Sequence, residues 1–142
     1  MTLRDLTRLV AGKAIIKRNG KILVLQQSQE EAVSNAGWYH MPGGIAEPGE
    51  TIEQAVLREI KEETGLDAQV VRLLEAGEWE ADIRGEHFQF VGLFYECTAN
   101  RGDVMIDPAE SAGYTWVGLE DLEGIQIVEP AKSVIRRALG GA

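Results

Sequence analysis

A chain of 142 residues, 44% of them apolar, is sized for one domain with a packed core, which excludes wholesale disorder. Its 14 Lys and Arg stand against 23 Asp and Glu, a formal charge of −9. That balance argues against gripping duplex nucleic acid through its phosphates, which takes a basic surface, and the single cysteine, Cys97, excludes an intrachain disulfide.

Residues 8–18 (RLVAGKAIIKR) and 21–27 (KILVLQQ) read as strands on either side of Asn19-Gly20, a strong hairpin signal. Residues 28–37 are polar and read as a loop. WYHMPGG, at 38–44, gives a short extended piece and a glycine turn, and Glu47-Pro48-Gly49 makes a second turn. A helix over 51–64 follows. Thr51 is its N-cap, Gln54 completes a capping box, and Gly65 stands where a left-handed C-cap is favoured. Beyond it, 68–80 and 87–98 read as long strands with a turn near Arg84-Gly85. Cys97 lies in the apolar run FVGLFYECTA and is expected in the core. Residues 113–118 (GYTWVG) read as a short strand. Pro130 opens a final helix with Val134, Ile135, Ala138 and Leu139 on one face. This order predicts an α/β or α+β fold, helices packed on a mixed sheet, as a single domain over 1–142. No charged segment leads into a short apolar one at the N-terminus, and no apolar run reaches 18 residues. A cytoplasmic protein with no membrane partner is expected.

The helix carries the chemistry. Six acids lie between Gly44 and Leu66: Glu47, Glu50, Glu53, Glu59, Glu62 and Glu63. At about 100° per residue from Ile52, Val56 and Ile60 fall at about 40° and 80°, with Glu63 at about 20° and Glu59 at about 340°. Glu62 falls at about 280°, and Gln54, Arg58 and Lys61 lie towards the opposite side. A merely solvated acidic face would keep its carboxylates away from the apolar stripe. Glu59 and Glu63 share the stripe, and a buried carboxylate costs several kcal/mol unless paired or metal-bound. Glu59, Glu62 and Glu63 stand at i, i+3 and i+4, so they can converge. The segment's only cations are Arg58 and Lys61, an imbalance that suits a hard divalent ion. Arg58 is placed to hold Glu50 and brace the loop against the helix.

The segment GIAEPGETIEQAVLREIKEETGL resembles the Nudix box of the Nudix, or MutT-like, hydrolase family at every fixed position: Gly44, Glu50, Arg58, Glu59, Ile60, Glu62, Glu63, Gly65 and Leu66. Trp38 with Met41-Pro42-Gly43-Gly44, and Trp116 near the end, extend the resemblance over most of 8–140. The resemblance implies a mixed-sheet α/β/α sandwich. It also implies Mg²⁺- or Mn²⁺-dependent hydrolysis of a nucleoside diphosphate linked to another group. Carried over by position, Glu59, Glu62 and Glu63 are metal ligands, with Gly44 backbone beside them. Gly43 and Gly44 bring backbone close to metal or phosphate, and Arg58 and Glu50 are supporting residues. A further carboxylate from a loop before the late tryptophan is matched by Glu110, with Asp107 as competitor; Glu59 and Glu110 are the two candidates for general base. A stacking partner for a base is sought among Trp38, Trp79, Phe88, Phe90 and Tyr95, with Trp38 and Phe90 taken as substrate contacts. Aromatic residues in strands usually pack, however. His40 and His87 receive no role.

Subfamily markers are missing. The downstream proline of ADP-ribose hydrolases has no counterpart between Asp67 and Met105. The tyrosine of one class of diadenosine-polyphosphate hydrolases meets Ile83-Arg84, and the NADH-hydrolase signature SQPWPxS is absent. These departures count against those assignments without excluding them, and the expected substrate is a small-molecule nucleotide: a nucleoside triphosphate, an oxidised nucleotide or a nucleotide sugar. The competing expectations are a non-catalytic nucleotide-binding or sensor protein on the same fold, and an acidic interaction domain whose helix is only solvated. A homodimer is expected from the family's habit alone.

Overall fold

Asn19 and Gly20 both adopt positive φ, 52° and 76°, the type I′ geometry that lets a two-residue turn join right-twisted strands. They connect β1 (Arg8–Arg18) to β2 (Lys21–Gln27) in this computed structural model, which describes residues 8–28 and 36–141. Most of the polar segment expected as a loop at 28–37 lies outside the described residues. Two short strands follow, β3 (Tyr39–His40) and β4 (Gly43–Ile45), and then helix α1 (Ile52–Thr64). Every expected cap of α1 is present. Thr51 Oγ1 accepts from Gln54 N–H at 3.1 Å, Gln54 Oε1 accepts from Thr51 N–H at 2.9 Å, and Gly65 is left-handed at φ 74°.

Strands β5 (Ala68–Ile83) and β6 (Glu86–Ala99) form a longer hairpin than the sequence predicts. Its ladder runs out to Ile83↔Glu86, with Arg84 and Gly85 as the turn. The extra reach of β5, Ala81–Ile83, sets exposed Asp82 between half-buried Ala81 and Ile83, a strand's period too short to stand out next to the turn. β7 (Ser111–Val117) starts two residues early, and a 3₁₀ turn over Leu119–Gly124 was not foreseen. Helix α2 (Ala131–Ala138) follows Pro130, which sits at its N-cap.

The strands make one mixed sheet in the order β3-β2-β1-β6-β5, with β4 also on β1 and β7 also on β2. β1 and β6 are parallel, from Arg8↔Gln89 to Ile16↔Cys97, and the other pairs are antiparallel. β1 divides the core by its period of two. Ala14 and Ile16 face α1 and pack with Val56, Ile60 and Cys97. Ile15 faces the other way, with Phe94, Val134 and Ile135. Helices therefore cover both faces, the expected α/β/α sandwich. Each fully buried Ile or Leu contributes roughly 1.5–3 kcal/mol. Among the described residues, no helix is long and apolar enough to cross a membrane.

Candidate active site

Glu63 is a buried carboxylate at the junction of α1 and β4. Its Oε1 accepts the Gly43 N–H at 2.8 Å. Burial raises its pKa to about 7, against the pull of that N–H and of Lys13; Glu59 and Glu110 push it further up. The N–H is delivered by a backbone that only glycine tolerates. Gly43 has φ 140°, and a side chain there would collide with the Gly12 carbonyl oxygen. Gly44 serves by absence too, since a Cβ would lie 2.9 Å from Glu59 Cδ and Oε1. Glu59 is thus pressed against backbone. Burial raises its pKa, opposed by Arg58.

Arg58 is the brace that the sequence predicts. Its Nε and Nη2 hold Glu50 as a fork, at 2.8 and 3.0 Å, and Arg58 keeps the Glu50 carboxyl at about 2. Nη1 reaches Glu59 Oε1 at 2.9 Å, Glu62 Oε2 at 3.3 Å and, more weakly, Glu47 at 3.8 Å. The wheel set Arg58 away from the apolar stripe, yet its side chain is only 24% exposed, because its long stem bends back to Glu50.

The donors suit a hard cation in chemistry and in part in placement. Glu63 and Glu59 lie against the Gly43-Gly44 backbone, so carboxylate and carbonyl oxygens are gathered where a Cβ would otherwise sit. Glu62 is turned outward, 54% exposed, and held by Arg58. Among the described residues, no three His, Cys, Asp or Glu side chains converge closely enough to hold an ion. Joining the other two requires Glu62 only to release one exposed 3.3 Å contact, and pairs of that kind contribute about 0–1 kcal/mol.

Beside these acids opens a cleft of about 630 Å³. Its floor is Ala11, Lys13, Met41, Gly43 and Gly44, and Arg58 and Glu59 form one edge. The opposite wall is aromatic. Trp79 lies parallel to Phe90, with ring centroids 5.2 Å apart, and Phe94 packs below. Trp79 reaches this position because Gly92 has no side chain; a Cβ there would collide with the indole. His40 also lines the cleft. Burial and the neighbouring Lys13 lower it to about 4, so it is neutral at pH 7.

Of the predicted site residues, Gly43, Gly44, Arg58, Glu59 and Phe90 line this cleft, and Glu63 is tied to its floor through Gly43. Phe88 shares the face of Phe90, as alternation requires, with centroids 6.4 Å apart. Glu110 is exposed on the turn before β7, and its charge reaches Glu59 and Glu63. Asp107 spends its side chain on that turn, accepting the Ala109 N–H at 3.0 Å. Trp38 is half-buried and not among the lining residues. The sequence reading missed Lys13, gave His40 no role and did not select Trp79. Lys13 had a signal: a lysine flanked by apolar residues inside a strand that the alternation marks as interior.

Fold and cleft define a class: an α/β/α domain with an acidic, arginine-braced helix edging a small-molecule cleft. A model described as the NUDIX domain matches residues 6–138. The chain is 34% identical over 135 residues to "Putative nudix hydrolase 1" of Caenorhabditis elegans, covering 94% of this chain and 35% of that protein. It thus spans about a third of that relative's length. It is 33% identical over 118 residues to "Nucleoside triphosphatase NudI" of Escherichia coli O81 (strain ED1a), covering 76% of this chain and 80% of that one. The crystal structure of a MutT protein from Methanosarcina mazei Go1 has the same fold, at TM-score 0.79 and 23% identity, over 94% and 93% of the two chains. The chain belongs to the Nudix hydrolase family.

Proposed function

We propose that this chain is a divalent-metal-dependent pyrophosphohydrolase acting on a nucleoside diphosphate linked to another group, nucleoside triphosphates foremost. The observation that carries the reading is the buried Glu63, held on the Gly43 N–H beside Glu59 and a nucleotide-sized cleft. The relative named nucleoside triphosphatase, matched over most of both chains, supports the choice of triphosphates.

Glu59, Glu63 and, once released from Arg58, Glu62 would hold Mg²⁺ or Mn²⁺ with the Gly44 carbonyl. Such an ion neutralises phosphate oxygens and makes water more acidic. The chain's own groups do the rest. Arg58 and Glu50 fix the loop, so that the Gly43-Gly44 backbone lies at the reacting phosphate. Trp79 and Phe90 offer a flat apolar wall to a base. A carboxylate takes the proton of the attacking water. Glu59, at the cleft edge, is better placed for this than exposed Glu110.

The test is hydrolysis of nucleoside triphosphates, 8-oxo-dGTP, ADP-ribose, NADH, diadenosine polyphosphates and nucleotide sugars with Mg²⁺ or Mn²⁺, with products resolved by mass. Turnover of at least one triphosphate is expected, falling by about 100-fold or more in Glu62→Gln and Glu63→Gln. Full activity in those variants, or in excess chelator, would overturn the reading. Saturable nucleotide binding with no product on long incubation would move it to a binding protein.

A further inference from the structure

Lys13 is a cation without a commitment. It is half-buried in the floor of the cleft, and among the described residues its ammonium makes no hydrogen bond or ion pair. The other basic residue of the lining, Arg58, is taken up by Glu50, Glu59 and Glu62. Glu59 and Glu63 act on Lys13 only through space. Burial in an interior strand lowers the pKa of Lys13, the mark of a partly desolvated ammonium without a bonded partner, and an arriving anion would relieve that cost.

The sheet's register says which part of a ligand meets it. Lys13 pairs across β1 with Phe94 on one side and with Gly43 on the other. One pleat away, Ala11 pairs with Gly92, the residue over which the Trp79 indole lies. Steps along and across a sheet are about 7 and 5 Å. The order through the cleft is therefore aromatic wall, Lys13, then Gly43 with Glu63 and Glu59. Each step is about the length of one nucleotide building block: base, sugar-linked phosphate, outer phosphate.

Resting on the function proposed above, we infer that Lys13 is the anion anchor of the cleft and holds the sugar-linked phosphoryl group of a nucleotide whose base lies against Trp79. Lys13 is a binding and positioning residue, and the carboxylates beyond it meet the next phosphoryl group. It favours ligands that carry a ring and a phosphate together over inorganic pyrophosphate, which cannot use the aromatic wall.

The experiment is equilibrium binding by calorimetry in Mg²⁺ buffer, with the four ribonucleoside 5′-monophosphates and their parent nucleosides as probes. The proteins are wild type, Lys13→Met, Lys13→Arg and Trp79→Leu. Lys13→Met should weaken the preferred monophosphate by about 10- to 100-fold, as loss of a charge-assisted hydrogen bond does. It should leave the parent nucleoside unchanged, and Lys13→Arg should recover part of the loss. Trp79→Leu should weaken nucleoside and monophosphate alike. In turnover, Lys13→Met should raise KM more than it lowers kcat. If Lys13→Met fails to fold, Lys13→Gln takes its place. Equal monophosphate affinity in wild type and Lys13→Met overturns the inference, as does equal weakening of nucleoside and monophosphate, or no monophosphate binding by wild type. The two readings fail separately. Lys13-dependent binding with no hydrolysis of any substrate sinks the hydrolase. Hydrolysis lost in Glu63→Gln but indifferent to Lys13 sinks the anchor.

Discussion

Replacing Glu63 with Gln should make the metal-free protein more stable at pH 8 while removing turnover. The side chain is 9% exposed, and burial raises its pKa from 4.5 to about 7. The folded protein therefore holds this proton more tightly than the unfolded chain does. The resulting stability is fully present below pH 4.5, declines as pH rises towards 7 and stays lost above it. The rise is worth about 3 kcal/mol at roughly 1.4 kcal/mol per tenfold change in proton affinity, a large fraction of a typical domain's stability. Gln carries no charge and keeps an oxygen for the Gly43 N–H. In EDTA, the Tm of Glu63→Gln should match wild type near pH 4 and exceed it at pH 8 by several degrees, up to about 10 °C. Calorimetry across that range measures the difference curve, in which the titrations of groups remote from Glu63 cancel. Adding Mg²⁺ should raise the Tm of wild type and not that of the variant, since a ligand stabilises only the state that binds it. A variant equal to or less stable than wild type at pH 8 would refute the burial argument. Equal stabilisation of both by Mg²⁺ would refute the assignment of Glu63 as a ligand.

Arg58→Met should lower the urea midpoint at pH 7, because it leaves Glu47, Glu50, Glu59 and Glu62 facing one another without their shared cation. Glu50 is held at about 2, so its contribution is present above pH 4.5 and lost as pH falls towards 2; the gap between variant and wild type should narrow by pH 3. Gly92→Ala should cost about 1–3 kcal/mol by overpacking and push the Trp79 indole off the sheet, read as a changed near-ultraviolet circular dichroism spectrum and a raised KM. Thr51→Ala, which removes the N-cap acceptor of α1, should cost about 1 kcal/mol in chemical denaturation, with kcat unchanged.

The features legible in the sequence are those with local causes. Asn19-Gly20 and Arg84-Gly85 are turns whichever sheet surrounds them, and Thr51, Gln54 and Gly65 start and stop α1 through bonds made within a few residues. The carboxylate arrangement was legible because 3.6 residues per turn puts Glu59 and Glu63 with Val56 and Ile60, and both acids are found turned inward. Glu62 was not legible in full. The wheel gives its direction, but the partner it takes, Arg58, depends on how that side chain bends around Glu50. The cleft was hidden for a different reason. Its floor comes from β1 and β4, its edge from α1 and its aromatic wall from the β5–β6 hairpin, and it takes the registers of β1 against β6 and of β6 against β5 to bring Lys13 and Trp79 together. Trp38, close to the box in sequence, lines none of it.

The charge of the cleft bears on how an acidic chain handles an acidic ligand. Glu47, Glu59, Glu80, Asp82 and Glu129 all line it, against Lys13 and an already paired Arg58. A bare polyphosphate approaching this lining meets net repulsion, which the overall charge of −9 reinforces at low salt. Two features oppose that repulsion from within. On the proposed function, the carboxylates beside Gly44 would hold divalent cations, which would reverse the sign of the field where the outer phosphates would lie. Lys13 supplies one positive charge nearer the aromatic wall, and an arriving phosphate would favour its charged form. On the function proposed above, a nucleotide carrying its own Mg²⁺ is therefore the form this cleft should accept. Raising free Mg²⁺ should tighten triphosphate binding steeply, and nucleoside binding, which has no charge to be neutralised, should stay flat.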